Sequence, residues 1–262
     1  TTPRWTISIS EFSFQSKLKM TDSTERDRAK SVALHVSKQD ATAMQKKAFT
    51  RWVNTHLDDR GMEAKDLYED LQDGLKLINL MEIISSKTIA KYVKQPKLQI
   101  HKTENLGKAL QLIKDEGIKL VNIGAGDIEA GNATCILGLI WTLILRYQIM
   151  KGKKGDAGGS AKQEMLAWVN TVIAPLKAGN LNKDWQDGKL LSAVLNGVAP
   201  GAHSPTGDAV KDIEDIITHA KEKLDIPRLL DAHDVVDGAD EHAMLTYLSY
   251  FQSAQTAAKE KR

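Results

Sequence analysis

Two nine-residue stretches, FTRWVNTHL at 49–57 and MLAWVNTVI at 165–173, share a Trp-Val-Asn-Thr core and lie 116 positions apart. A second pair follows in the same order, DLQDGLKL at 70–77 and DWQDGKLL at 184–191. A repeat of roughly 110 residues has the size of a whole domain, whereas solenoid repeats have periods of about 20–50 residues. The sequence therefore predicts one domain that occurs twice.

Each copy is predicted to be helical. Apolar residues recur at i, i+3, i+4 and i+7 in both halves, and this spacing builds one apolar stripe along a helix. No stretch alternates with period two for long enough to predict a sheet. We therefore predict an all-α fold. The residues of the two stripes are Leu106, Ala109, Leu110 and Ile113 in the first half, and Ile213, Ile216, Ile217 and Ala220 in the second.

The domain boundaries follow from composition. A stretch at 151–160, KGKKGDAGGS, carries four glycines and no large apolar side chain, which is typical of a flexible linker. Residues 1–40 show no sustained period and are interpreted as an N-terminal extension. The two domains are then expected at 41–150 and 161–258.

Charge is nearly balanced overall, with 36 basic and 34 acidic residues among 262. This balance argues against a nucleic-acid-binding protein. The halves differ, however: residues 41–150 carry 15 basic and 13 acidic residues, net +2, and residues 160–262 carry 11 and 15, net −4. Opposite charges predict that the halves can dock in a compact state, with an acidic partner for the basic half. The alternative is ordinary variation of surface charge.

Other classes of function lack support. The single cysteine, Cys135, allows no internal disulfide and fits a reducing, cytoplasmic setting. The longest apolar run, 135–145, is shorter than the roughly 18 residues of a membrane span. The repeated Asp-x-x-Asp-Gly motifs are interpreted as helix caps rather than metal ligands, since the calcium-loop pattern is absent. We therefore predict no catalytic, cofactor or metal site, and no enzyme.

The repeated motifs resemble the calponin-homology domain, used in tandem as an actin-binding domain by the alpha-actinin and filamin superfamily. The resemblance implies two calponin-homology helical domains joined by the Gly-rich linker, and residues 184–201 resemble filamins more than alpha-actinins. The stretches that carry the resemblance are QKKAFTRWVN (45–54), LYEDLQDGLKLINLMEIIS (67–85), residues 117–147, LDIPRLLDAHDVV (224–236) and DEHAMLTYLSYF (240–251).

The resemblance implies binding to filamentous actin, and therefore a place in the cytoplasmic actin cytoskeleton. It assigns actin contacts to residues 45–56, 132–150 and 162–172, with cations of the first helix facing the acidic filament. The expected contact residues are Lys46, Lys47, Arg51, Asn54, Thr55, Thr134, Leu139, Leu143, Arg146 and Lys162.

The stretch 136–145 would be apolar nearly all round on a helix. Such a helix is either fully buried or presents one apolar side to a partner. We expect Trp141 on the core side, and Leu139 and Leu143 on a second, actin-facing side. The alternative is a central core helix without a partner face. The family's lysine after Gly131–Asn132 is replaced by Ala133–Thr134, so we expect a weaker contact there or compensation from lysines at 91, 94 and 97.

Two functions of different classes remain open. The first is an actin-filament-binding module of a cytoskeletal cross-linking protein. Cross-linking would then need rod domains or dimerisation outside this chain. The alternative is a calponin-homology adaptor or a microtubule-associated interaction module. Docking of the two halves could mask part of the actin surface. Phosphoinositide binding is not expected, because the second half has only widely spaced lysines in the matching region.

Overall fold

The computed structural model describes residues 42–151 and 158–260, so the N-terminal extension predicted at 1–40 lies outside the described residues. Residues from Ala43 onward form one compact unit. The first half begins with helix α1, residues 42–57, followed by a 3-10 turn at Asp58–Arg60. It continues with α2 (Leu67–Asp70), α3 (Leu75–Ser85), α4 (Gln99–Asp115), α5 (Ala125–Glu129) and α6 (Ala133–Ile144), which a π-helical turn at Leu145–Ile149 extends.

The second half repeats this order of helices, except that a 3-10 turn stands in the place of α2. Its first helix begins at Gly158, so the last residues of the predicted linker are helical, and the rest of the linker beyond Lys151 lies outside the described residues. No strand occurs among the described residues, and the predicted all-α class is confirmed. The elements are α7 (Gly158–Val172), a 3-10 turn at Lys183–Trp185, α8 (Lys189–Val198), α9 (Ala209–Leu224), α10 (Ala232–Gly238) and α11 (Glu241–Glu260).

Both predicted apolar stripes are buried. Leu106 and Ile113 on α4, and Ile213 and Ile217 on α9, have no exposed side-chain surface. Trp52 of the first repeated motif is also fully buried. Burying a large apolar side chain contributes about 1.5–3 kcal/mol, so these positions fix how each helix faces its core.

The two Asp-x-x-Asp-Gly motifs serve the same structural purpose, as predicted. Asp73 accepts a hydrogen bond from the Leu75 amide at 2.8 Å, and Gly74 with φ +78° is the N-cap residue of α3. In the second half, Asp187 accepts from the Lys189 amide at 3.0 Å, and Gly188 with φ +73° is the N-cap residue of α8. A left-handed glycine followed by a helix needs the amides of its first turn satisfied, and the aspartate does this.

Candidate functional site

The polar face of α1, which carries Lys47 and Arg51, lies against the second domain. Lys47 Nζ is 2.9 Å from Asp231 Oδ2 and 2.6 Å from Asp234 Oδ2. One turn further along, Arg51 Nη2 is 2.9 Å from Asp231 Oδ1, and its Nη1 donates to the Leu229 carbonyl at 3.3 Å. Cations of the basic half thus meet carboxylates of the acidic half, which is the docked arrangement predicted from the charge split. We call this contact the domain seam.

The position of Asp231 explains why its carboxylate is free to bind across the seam. Asp231 is the N-cap residue of α10, yet its side chain makes no capping hydrogen bond. An aspartate at this position ordinarily accepts from an amide of the first turn. Here the carboxylate instead accepts from Lys47 and Arg51 of the first domain. The residue therefore contributes to docking rather than to its own helix.

Ionisation of the seam follows from these contacts. Burial alone would raise the pKa of Asp231, but hydrogen bonds from Lys47 and Arg51 outweigh it and hold this pKa below its ordinary value. Burial alone would lower the pKa of Lys47, and its bonds to Asp234 and Asp231 raise it instead. Both partners are consequently charged near neutral pH.

Aromatic side chains form a second part of the seam. The Trp141 ring of α6 is stacked 6.1 Å from Phe49 and meets the His242 ring of α11 edge-on, at 4.4 Å between centroids. Nearby, the Asp240 amide donates to Met44 Sδ at 2.9 Å. Trp141, expected on the core side of its helix, is therefore only partly buried and links the two domains.

Thr55 also lies at the seam. Its hydroxyl donates to the Trp52 carbonyl at 2.7 Å, and its side chain lines the same cleft as Tyr250 of α11. Burial raises the pKa of Tyr250 to about 12. In the docked state, Thr55 thus faces the second domain.

Lys46, by contrast, is held within the first domain. Its Nζ lies 2.5 Å from Asp66 Oδ2 and 4.1 Å from the centre of the Tyr68 ring. Hydrogen bonding from Lys46 lowers the pKa of Asp66. Lys46 and Lys47 are neighbours in sequence, but only Lys47 reaches across the seam.

Asn54 has a structural role that occurs in both copies. Its Nδ2 donates to the Ala64 carbonyl at 2.9 Å, and its Oδ1 accepts from the Ala64 amide at 2.8 Å. Asn170 makes the same pair with Ala178, at 3.1 and 2.7 Å. The shared Trp-Val-Asn motif therefore includes a bidentate clamp between the first helix and the following loop.

The expected apolar face of α6 is absent, and this prediction is wrong. Leu139 and Leu143 have no exposed surface, because the first-domain core packs around them. On the same helix and its extension, Thr134 and Arg146 are exposed. The alternative of a core helix therefore holds for Leu139 and Leu143, and the exposed side chains of α6 and its extension are those of Thr134 and Arg146.

Lys162, expected to contact a partner, pairs within the second domain. Its Nζ lies 2.7 Å from Glu241 Oε2, which joins α7 to the start of α11. Both side chains remain more than a third exposed. The structure thus brings Lys47, Arg51 and Thr55 together at the seam and leaves Lys162 on another helix of the second domain.

The sequence patterns do not identify the carboxylates that form ion pairs with α1. Asp231, Asp234, Asp237 and Asp240 recur every third position, and this run could have indicated an acidic surface. Only two of them contact α1 through ion pairs in the described part of the chain. No group of three or more histidine, cysteine or acidic residues that could hold a metal occurs among the described residues. Nor does any helix within them have the length and apolar character to cross a membrane.

Comparison with known proteins supports the duplicated architecture. The profile of the calponin homology (CH) domain matches residues 43–149 and again 159–257. Filamin-C from Rattus norvegicus is 38% identical over 226 residues, covering 81% of this chain and 8% of filamin-C. Alpha-actinin-4 from Homo sapiens is 38% identical over 230 residues, covering 82% of this chain and 24% of that protein. Because the two identities are equal, they do not show whether the chain is more similar to filamins or to alpha-actinins.

A solved structure extends the comparison. The crystal structure of the actin-crosslinking core of Schizosaccharomyces pombe fimbrin matches with a TM-score of 0.63 and 25% identity, over 79% of this chain and 49% of that one. The chain spans less than a quarter of the length of filamin-C and about a quarter of alpha-actinin-4. Because the domain profile matches both halves, the chain belongs to the calponin homology family and carries two copies of its domain in tandem.

Proposed function

We propose that this chain is an actin-filament-binding module of a cytoskeletal cross-linking protein. The observation that carries the proposal is the tandem pair of calponin homology domains, an arrangement matched by fimbrin's actin-crosslinking core. The similarity to filamin-C and alpha-actinin-4 supports the same function. The module is a binding surface rather than an enzyme, and its expected place is the cytoplasmic actin cytoskeleton.

The binding face that we propose is centred on α1. Lys47 and Arg51 present cations on one side of this helix, and Lys46 lies beside them. Actin filaments are acidic, so cations on a rigid helix favour encounter and orientation. Thr134 and Arg146, the exposed polar residues on α6 and its extension, form the second contact. Leu139 and Leu143 take no part in it because they are buried.

Docking of the two domains would compete with actin binding, because both use the same face of α1. In this structure Asp231 and Asp234 form ion pairs with the cations of α1. Each seam ion pair is a quarter to two fifths exposed, and pairs of this kind contribute about 0–1 kcal/mol. We propose that filament carboxylates replace Asp231 and Asp234, so that actin binding and domain opening are coupled.

Co-sedimentation with actin filaments at low and high salt tests the proposal, with microtubules as the control polymer. We expect the chain to pellet with actin and not with microtubules. Replacing Lys47 and Arg51 by glutamine should weaken the interaction with actin and reduce its salt dependence. Pelleting with microtubules alone would instead support the microtubule-associated alternative. Cross-linking of filaments needs a second binding unit, so this chain alone should not bundle actin.

A further inference from the structure

The segment between α3 and α4 carries a dense positive charge that the α1 face does not use. Residues 83–103 contain five lysines and no aspartate or glutamate. One of them, Lys87, pairs with Glu116 of the first domain at 2.5 Å. Lys91, Lys94 and Lys97 are exposed and make no ion pair with any described residue. Their charge is therefore available to a partner.

The backbone of this segment is fastened to the domain. The Val93 amide and carbonyl both pair with the Asn105 side chain of α4, each at 2.9 Å. The Ile89 amide donates to Glu82 Oε1 at 2.7 Å, and the Ile89 and Tyr92 side chains pack against the core. The lysines at every third position are thus presented from a fixed edge rather than from a loose loop.

Two exposed aliphatic side chains continue this edge. Leu98 is 59% exposed and Ile100 is 70% exposed, and they flank Gln99, the first residue of α4. A single exposed aliphatic residue is ordinary on a protein surface. Here two of them follow directly after three unpaired lysines, so exposed cationic and exposed apolar side chains are adjacent along one segment. We call residues 91–100 the lysine edge.

We propose that the lysine edge docks on a lipid bilayer that carries anionic phospholipid. The ammonium groups of Lys91, Lys94 and Lys97 would lie among the anionic headgroups, where a polybasic segment is attracted by the surface potential. Leu98 and Ile100 would enter the boundary between headgroups and acyl chains, as the apolar side chains of interfacial segments do.

The composition favours a bilayer over a protein partner. Residues 61–145 contain no arginine, and every basic residue of the edge is lysine. Protein interfaces are enriched in arginine and aromatic residues and depleted in lysine. Arginine binds individual carboxylates in a bidentate geometry, whereas lysine is a flexible point charge suited to a diffuse array of anions. The ion pairs across the seam come from α1, so docking of the domains leaves the lysine edge charged.

Vesicle sedimentation of the full chain tests this proposal. We expect pelleting with phosphatidylcholine vesicles that contain phosphatidylserine, and none with phosphatidylcholine alone. The triple variant Lys91→Gln, Lys94→Gln and Lys97→Gln should lose about 100-fold in partitioning, since each lysine near an anionic surface contributes about fivefold. A matched triple variant, Lys177→Gln, Lys183→Gln and Lys223→Gln, removes the same charge from exposed positions of the second domain and should bind like the unmodified chain.

The aliphatic residues are tested separately. Leu98→Ser with Ile100→Ser keeps every charge, and we expect it to lose the part of vesicle binding that persists in high salt. Thermal unfolding checks that both edge variants remain folded. Three results would overturn the proposal: equal binding to both kinds of vesicle, full binding by the edge triple variant, or loss of only actin binding in that variant. The last would assign the lysine edge to the filament.

Discussion

Lys47 of the first domain and Asp234 of the second form an ion pair of 2.6 Å, although 187 positions separate them in the chain. The same ammonium group also reaches Asp231. A lysine that the resemblance assigns to a filament is thus already neutralised by carboxylates of its own chain. Any acidic partner of α1 must compete with them, so the affinity of the module depends on how firmly its two domains are docked.

Removing the seam carboxylates should strengthen actin binding. We expect the double variant Asp231→Asn and Asp234→Asn to bind actin filaments about fivefold more tightly, since partly exposed ion pairs of this kind together contribute about 1 kcal/mol. Actin co-sedimentation at fixed salt measures the change. Asp215→Asn with Asp237→Asn removes two exposed charges of the second domain that form no ion pair with α1, and should leave affinity unchanged. An equal gain in both double variants would mean that net charge, not the seam, sets the affinity.

Docking should withstand mild acid. The pKa of Asp231 lies below its ordinary value because the hydrogen bonds from Lys47 and Arg51 outweigh the effect of burial. A carboxylate with a lowered pKa contributes stability that is fully present above its undocked pKa, about 3.9, and is lost as pH falls through the docked value. We therefore expect the Asp231 contribution to be constant between about pH 5 and 8 and to decline progressively as pH falls below about 4.

Fluorescence resonance energy transfer between one label on each domain can measure how docking depends on pH. The informative quantity is the difference in transfer between the unmodified chain and the double variant Asp231→Asn, Asp234→Asn at each pH. This difference removes the effect of other carboxylates that titrate in acid, such as Asp66 and Glu116, whose pKa values are also lowered. A difference that already changes between pH 6 and 8 would show that another group controls docking.

Glycines at turns should differ in their tolerance to alanine. A Cβ at Gly74 would lie 2.8 Å from the Leu106 amide nitrogen and from Asn105 Cβ, and the residue also has φ +78°. Gly117 has a similar φ of +76° but no atom within 4 Å of an added Cβ. We expect Gly117→Ala to cost about 1–2 kcal/mol from backbone strain alone. Gly74→Ala should cost about 2–5 kcal/mol, because steric overlap adds to the strain.

Chemical denaturation of the two variants measures this contrast. Gly188, with φ +73°, is the counterpart of Gly74, and an added Cβ would meet Ile213 Cγ1 at 3.1 Å, a side-chain atom that can shift. Gly188→Ala should therefore fall between the other two in its cost. Equal losses at Gly74 and Gly117 would show that the close approach to α4 is relieved by a small backbone movement.

The sequence predicts the helices and their buried faces well, because apolar spacing and the duplication both report directly on the core. Its prediction for α6 fails for a physical reason. A helix that is apolar nearly all round offers no polar face to set its orientation, so Leu139 and Trp141 cannot be ranked by periodicity. The structure buries Leu139 completely and leaves Trp141 partly exposed at the seam.

The contacts of the candidate site are also beyond local patterns. The charge split predicts that the halves attract, but it does not say which carboxylate meets Lys47. Nor does it indicate that the side chain of Asp231, the N-cap residue of α10, bonds to the other domain instead of to its own helix. Such pairings depend on the relative position of two domains, which no spacing within either domain determines.

The buried leucines of α6 should affect stability. Leu139→Ala should lower the free energy of unfolding by about 2–5 kcal/mol, as truncations of fully buried leucines do. Thr134→Ala and Arg146→Ala, at exposed positions nearby, should change it by less than about 0.5 kcal/mol. If the second contact with actin is correct, the exposed pair should weaken filament binding without loss of stability. Normal stability of Leu139→Ala would contradict the core position of this helix.

The two asparagine clamps test whether the matching positions of the two domains have the same structural role. Asn54→Ala and Asn170→Ala each remove two hydrogen bonds and leave the buried amide of Ala64 or Ala178 without its side-chain partner. An unsatisfied buried backbone group costs about 1–3 kcal/mol, so we expect similar losses of stability in both variants. Because the Asn54 amide group is directed to the Ala64 loop, filament binding by the folded Asn54 variant should match that of the Asn170 variant. A selective loss of actin binding in Asn54→Ala, at equal stability, would instead support the predicted role of Asn54 as a contact residue.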